Sequence, residues 1–195
     1  MSGPRYGRIL IIDDNPEIHE DFRRILCRNS PDSSSLDAQE TLLFGNAPTK
    51  TQAIGFDIDS AGQGEEGLKL VTQAKQEHRP YAVAFVDVRM PPGWDGVETI
   101  ERIWRIDPDL QFVICSAYSD YTPNEILARL GISDRLLLLK KPFDSAEILL
   151  ATTTLCEKWN LGRAAKSMLR KLADTVWDNL ETKADYVATG SGGAV

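Results

Sequence analysis

The stretch Arg8-Ile9-Leu10-Ile11-Ile12-Asp13-Asp14-Asn15 is a continuous apolar run that stops on two acids. β-Branched side chains favour strands, and a strand with no polar alternation must be covered on both faces. Four more short runs follow: Gly55-Phe56-Asp57-Ile58-Asp59, Ala82 to Val86, Gln111 to Cys115 and Leu136 to Leu139. Helix-compatible stretches lie between them. Pro16 to Cys27 is amphipathic, and Glu65 to Glu77 carries Leu68, Leu70, Val71 and Ala74 at helical spacing. Val97 to Ile106 follows Asp95, a suitable N-cap, and Asn124 to Leu130 is stopped by Gly131. Buried strands alternating with helices predict a parallel sheet, and five such units predict a doubly wound α/β sandwich.

Composition narrows the function classes. The 195 residues include 22 Lys and Arg against 29 Asp and Glu, a formal net charge of -7. Phosphate neutralisation needs a surplus of basic residues, so no nucleic-acid partner is expected. No run approaches the ~18 apolar residues of a membrane span, and no apolar signal core follows Met1 to Arg8. Cys27, Cys115 and Cys156 are odd in number and contain no CxxC pair, which argues against a disulfide framework or a zinc site. A cytoplasmic protein is the expectation.

Two segments exceed a minimal five-unit domain. The insertion at about 29–53 is rich in Ser, Asp and Thr, with room for a short helix at Leu36 to Phe44. At the other end, Leu155, Trp159, Ala165, Leu169, Leu172, Val176 and Leu180 recur at helical steps. Gly162 interrupts them at a cost of roughly 1 kcal/mol relative to Ala, so a kink or break is expected there. Lys158, Arg163, Lys166, Arg170 and Lys171 gather in the first half, and Asp174, Asp178, Glu181 and Asp185 in the second. Such charges read either as a solvated face or as a partition suited to antiparallel pairing with another helix. The expected organisation is a main domain over 1–158, a dimerisation or linker helix over 159–188, and a flexible tail over 189–195.

The chemistry sits at the strand ends. Asp13 and Asp14 end the first strand and Asp87 ends the third. In a doubly wound sheet the carboxyl ends of these strands flank the crevice where ligands bind. Converging carboxylates repel one another unless a cation neutralises them, and a hard, oxygen-preferring ion such as Mg²⁺ suits them. Ser116 ends the fourth strand. Lys141, at the end of the fifth, precedes Pro142 and is thereby confined to extended geometry. Strand alternation sends either Lys140 or Lys141 inward, and the adjacent proline favours Lys141.

Taken in order, Ile12-Asp13-Asp14-Asn15, Val86-Asp87-Val88-Arg89-Met90-Pro91, Cys115-Ser116-Ala117 and Lys141-Pro142-Phe143-Asp144 resemble the receiver domain of two-component response regulators. The resemblance runs from about Arg8 to about Trp159. It implies a flavodoxin-like, doubly wound, five-stranded parallel sheet of order 2-1-3-4-5, elaborated here by a helical insertion and a C-terminal helical extension. It implies that Asp87 is the phosphoacceptor and that Asp13, Asp14 and Asp87 hold Mg²⁺ with the backbone carbonyl of Arg89. By the same likeness Ser116 hydrogen-bonds the phosphoryl group, Lys141 pairs with it, and Arg89 and Tyr118 flank it. The implied partner is a histidine kinase or phosphotransfer protein, and the implied role is a signalling domain and not an enzyme. Two departures stand out. The loop Met90-Pro91-Pro92-Gly93-Trp94-Asp95-Gly96 is one residue longer than the family's usual pattern, and Leu138 stands where an aromatic residue is common.

Three rival readings compete. Gly62-Gln63-Gly64-Glu65-Glu66-Gly67 is a literal GxGxxG of the dinucleotide-binding kind. Glu65 and Glu66, however, put negative charge where a pyrophosphate would sit, so turn formation and helix entry account for these glycines. An aspartate-nucleophile phosphatase needs Asp-x-Asp after its first strand, and here Asp13 is followed directly by Asp14. An interaction module that never takes a phosphoryl group is the third. His19 and His78 have no metal-like neighbours in sequence and read as surface residues.

Overall fold

The computed structural model describes residues 5–27, 55–117 and 122–190; the insertion expected at 29–53, Tyr118 and most of the tail lie outside them. Strands β1 (Arg5–Ile12), β2 (Gly55–Ala61), β3 (Val83–Asp87), β4 (Gln111–Ser116) and β5 (Leu136–Lys140) form one parallel sheet of order β2-β1-β3-β4-β5. The strand signals of the sequence are all realised, and the order is that of a flavodoxin-like doubly wound sheet. β1 lies between β2 and β3, in register with β2 through Ile9↔Ile58 and with β3 through Ile12↔Val86.

Period-two alternation divides the strands' side chains between two cores. Leu10, Ile12, Ala84, Val86, Phe112 and Ile114 face one way. There they meet Val71 and Ala74 of α2 (Gly64–Gln76), Val97, Ile100 and Ile103 of α3 (Gly96–Ile106) and Ile126 of α4 (Pro123–Leu130). Ile9, Ile11, Val83, Phe85, Val113 and Cys115 face the other way, onto Phe22 and Leu26 of α1 (Pro16–Leu26) and Ile148, Leu155, Cys156 and Trp159 of α5 (Ser145–Gly190). Each fully buried aliphatic or aromatic side chain contributes ~1.5–3 kcal/mol relative to exposure, which makes these two layers the main source of stability.

Local chemistry sets the helix starts. The Asn15 side chain accepts from Glu17 N–H, and the Asp95 side chain accepts from Glu98 N–H. Thr122 and Glu125 form a reciprocal capping box, and Gly131 closes α4 at φ 74. Of the GxGxxG glycines, Gly64 and Gly67 answer to packing, whereas a Cβ on Gly62 would meet only the flexible end of Glu66 at 3.8 Å. A Cβ on Gly64 would collide with Thr99 Oγ1 of α3, and one on Gly67 would come within 2.5 Å of Ile12 Cδ1 on β1.

Contacts divide the chain into two compact units, Met1–Trp159 and Asn160–Val195. The break expected at Gly162 does not occur, and α5 is helical from Ser145 to Gly190. A Cβ at Gly162 would meet nothing within 4 Å. With no packing demand there, the modest propensity cost of one glycine is outweighed by the hydrogen bonds of the turns on either side. Among the described residues no helix is long and apolar enough to cross a membrane.

Candidate functional site

The carboxyl ends of β1, β3 and β5 build the site. Because Ile12 and Val86 are register partners, the residues that follow them, Asp13 and Asp87, emerge side by side. Their positions are fixed by backbone bonds: Asp13 N–H donates to the Ala61 carbonyl at 3.1 Å, and Val88 N–H donates to the Cys115 carbonyl at 3.1 Å. Lys141 directly follows β5, and its N–H donates to the Ser116 carbonyl at 2.8 Å. The Lys141–Pro142 peptide is cis.

Lys141 Nζ joins the two acids, donating to Asp87 Oδ1 at 2.6 Å and to Asp13 Oδ2 at 2.9 Å. The other oxygens are also held. Asn15 N–H donates to Asp13 Oδ1 at 2.9 Å, and Arg89 N–H donates to Asp87 Oδ2 at 2.9 Å. Asp13 is 3% exposed and Asp87 9%, so two carboxylates share one ammonium out of bulk water. Burial pushes the Asp87 carboxyl above its ordinary range; the bond and charge of Lys141 pull it back only in part, and the charge of Asp13 adds to the rise. Burial alone would lower the Lys141 pKa, but its bonds to Asp87 and Asp13 outweigh that and hold it at about 12. The local balance is an excess of buried negative charge.

The structure thus brings together Asp13, Asp87 and Lys141. Asp14, the Arg89 side chain and Lys140 are exposed. Ser116 is buried at the end of β4, where its hydroxyl donates to the Ala117 carbonyl at 3.0 Å and to neither acid. Among the described residues no three His, Cys, Asp or Glu side chains converge closely enough to share an ion, so the expected acid triad is here a pair with the third acid next in the chain. The donors are nevertheless all oxygens, and the uncompensated charge at Asp87 is what a hard cation relieves; the residues fit Mg²⁺ in kind.

One residue of the site escaped the sequence reading. His19, expected at the surface, is 8% exposed, and its Nε2 lies 2.7 Å from the Asp13 carbonyl. A carbonyl only accepts, so Nε2 carries the proton and the imidazole braces the acid turn from α1. The signal was present: His19, Phe22 and Leu26 sit at three- and four-residue steps, the buried face of α1. His78, by contrast, is exposed as expected. Next to the acids, an open cleft of about 600 Å³ is lined by Val88, Arg89, Met90, Pro91, Gly93, Asp95 and Glu125. Its floor is the lengthened loop after Asp87, and its wall is the start of α4.

The model of the response regulator receiver domain matches residues 49–153, more than half of the chain. Asp87, Ser116 and Lys141 fall within that range; Asp13 and Asp14 precede it, and the sheet register is what joins them to the rest. The probable chemotaxis protein CheY of Rhizobium etli is 32% identical over 106 residues, covering 52% of this chain and 72% of that protein. An uncharacterized transcriptional regulatory protein, YesN of Bacillus subtilis, is 28% identical over 92 residues, 47% of this chain but only 23% of the relative. A solved response regulator receiver protein from Sinorhizobium medicae shares the fold with a TM-score of 0.53 at 21% identity, over 78% of this chain and 95% of that one. Sheet order, paired acids with their lysine and family match converge: this chain belongs to the response regulator receiver domains.

Proposed function

We propose that the chain takes a phosphoryl group onto Asp87 from a phosphohistidine of a histidine kinase or phosphotransfer protein, in a Mg²⁺-dependent step. The observation that carries this reading is the Lys141 ammonium bridging Asp87 and Asp13 at 2.6 and 2.9 Å. A carboxylate attacks phosphorus only if the charge of the incoming group is met by fixed cations. Lys141 already stands within reach of the oxygens that would carry that charge. One Asp87 oxygen forms the new O–P bond as the donor's P–N bond breaks, and the freed imidazole nitrogen keeps the electron pair and takes a proton. Asp13, Asp14, Asp87 and the Arg89 carbonyl would hold Mg²⁺, which when bound neutralises the transferring oxygens. Ser116, one residue from the Asp87 level of the sheet, would turn its hydroxyl from the Ala117 carbonyl to a phosphoryl oxygen. The single charge of the carboxylate becomes about two on the acyl phosphate, with new acceptor oxygens, so the segment carrying Ser116 and the cleft beside Asp87 are where the surface would change.

Intact mass after incubation with Mg²⁺ and acetyl phosphate tests the reading, followed by the same measurement with a phosphorylated histidine phosphotransfer domain. One added phosphoryl group on the unmodified chain, and none on Asp87→Asn, is the expected result. No modification by either donor would overturn it and leave an interaction module that works without phosphorylation.

A further inference from the structure

From residue 160 to residue 177 every side chain of α5 is exposed. Yet Leu161 is 72% exposed, Met168 65%, Leu169 66%, Leu172 53% and Val176 56%. Leu161, Ala165, Met168, Leu172 and Val176 recur at steps of three and four, so they form one stripe, with Leu169 at its border. A lone helix in water is marginal, and helices of folded proteins gain most of their stability by packing such a face. Contiguous exposed apolar surface of this kind marks an interface.

Charge identifies the occupant. Between 163 and 185 the basic residues Arg163, Lys166, Arg170 and Lys171 all precede the acidic residues Asp174, Asp178, Glu181 and Asp185, with Lys183 the one exception. Two copies side by side in parallel would set basic half against basic half and acidic half against acidic half. Turned antiparallel, with the dyad near Leu172, each half meets its opposite, while Leu172 meets its counterpart and Met168 meets Val176 of the second copy. The sequence is self-complementary in that orientation alone. We infer that the helix from Asn160 onward pairs antiparallel with the same helix of a second copy of this chain. This pairing does not rest on the phosphoryl-transfer reading.

Sedimentation of the full chain, up to tenth-millimolar concentration, should give twice the 21.7 kDa chain mass. The triple variant Lys166→Glu, Arg170→Glu, Lys171→Glu alters only exposed helix positions and should halve that mass. Orientation is read by thiol cross-linking against the unsubstituted chain. Leu172→Cys, at the dyad, should link two copies. Leu161→Cys should not, because an antiparallel pair separates these sites by about 33 Å at 1.5 Å per residue. A monomer mass, a dimer unaffected by the charge reversal, or a Leu161→Cys cross-link would each overturn the inference.

Discussion

Two buried carboxylates around one ammonium have pH consequences that can be given a sign. The fold raises the Asp87 pKa above its ordinary 3.8, so the folded protein favours the protonated form more than the unfolded chain does. Its contribution to stability is therefore full below the unfolded value and is lost as pH rises through the raised folded value. At neutral pH the buried charge is a cost. Asp87→Asn should raise Tm near pH 7 by about 2–4 °C, the effect of ~1 kcal/mol in a chain of this size. The gain should shrink towards zero as pH falls to about 4, and a pH-independent gain in thermal melts would refute the argument. Lys141→Met does the reverse by leaving Asp13 and Asp87 without their shared cation. A loss of roughly 2 kcal/mol at neutral pH is expected, discounted from a fully buried pair because Lys141 is partly exposed. Mg²⁺ should then stabilise this variant more than the unmodified chain, because it replaces the missing charge; equal shifts in a Mg²⁺ titration of Tm would count against a cation site at these acids. At this scale the sequence was legible, since a doubly wound sheet brings acids and a lysine at neighbouring strand ends to one crevice. What it hid was orientation. That Asp14 turns to solvent while Asp13 turns inward, and that Ser116 bonds its neighbour's carbonyl, depends on loop conformation that residue type does not dictate.

The elements act through their junctions. The loop from Val88 to Asp95 joins the strand that carries Asp87 to α3, and it is closed by Gly96 N–H donating to the Val88 carbonyl at 2.9 Å. A Cβ at Gly96 would press into the Asp87 carbonyl oxygen and lie 3.1 Å from Val88 Cα, so there is backbone on that side and no flexible side chain to yield. Gly96→Ala should cost about 2 kcal/mol by overpacking and, by shifting the Asp87 backbone, should slow phosphoryl uptake as well. Urea melts and acetyl phosphate labelling rates test the two effects, and normal stability with normal labelling would show that the loop absorbs the methyl. α4 is tied to the same loop: Arg129 bonds Asp95 and Glu101 at 3.3 Å each, linking the wall of the cleft to α3. Element existence and type were readable because apolar runs, caps and Gly131 all agreed. The Gly62-to-Gly67 pattern was readable as a motif but not as packing. Only the fold shows that Gly64 lies under Thr99 and Gly67 under Ile12, contacts between segments far apart in sequence. Gly162 shows the opposite limit: a propensity penalty of about 1 kcal/mol predicts a break only where nothing else sustains the helix.

Across the whole chain, the units Met1–Trp159 and Asn160–Val195 differ in how they are stabilised. The first contains both hydrophobic layers, including the last α5 side chains to be buried, Leu155, Cys156 and Trp159. The second presents exposed side chains at every position from 160 to 177, so none of its described side chains joins either layer. Removing it should therefore subtract an interface and not a core. A chain truncated after Trp159 is expected to melt within about 2 °C of the full chain when both are compared below the concentration at which the full chain associates, because none of the described core side chains is lost and surface changes of this kind fall within about ±0.5 kcal/mol. At higher concentration the two should diverge, since association raises the apparent stability of the full chain by mass action while leaving the truncated chain unchanged. Labelling of Asp87 by acetyl phosphate should be equal in both at the lower concentration, because Asp13, Asp87 and Lys141 all lie in the first unit. A truncated chain that melts far lower at every concentration would show instead that the distal helix supports the sheet directly, and the division of labour between a phosphoryl-accepting unit and a pairing helix would have to be abandoned.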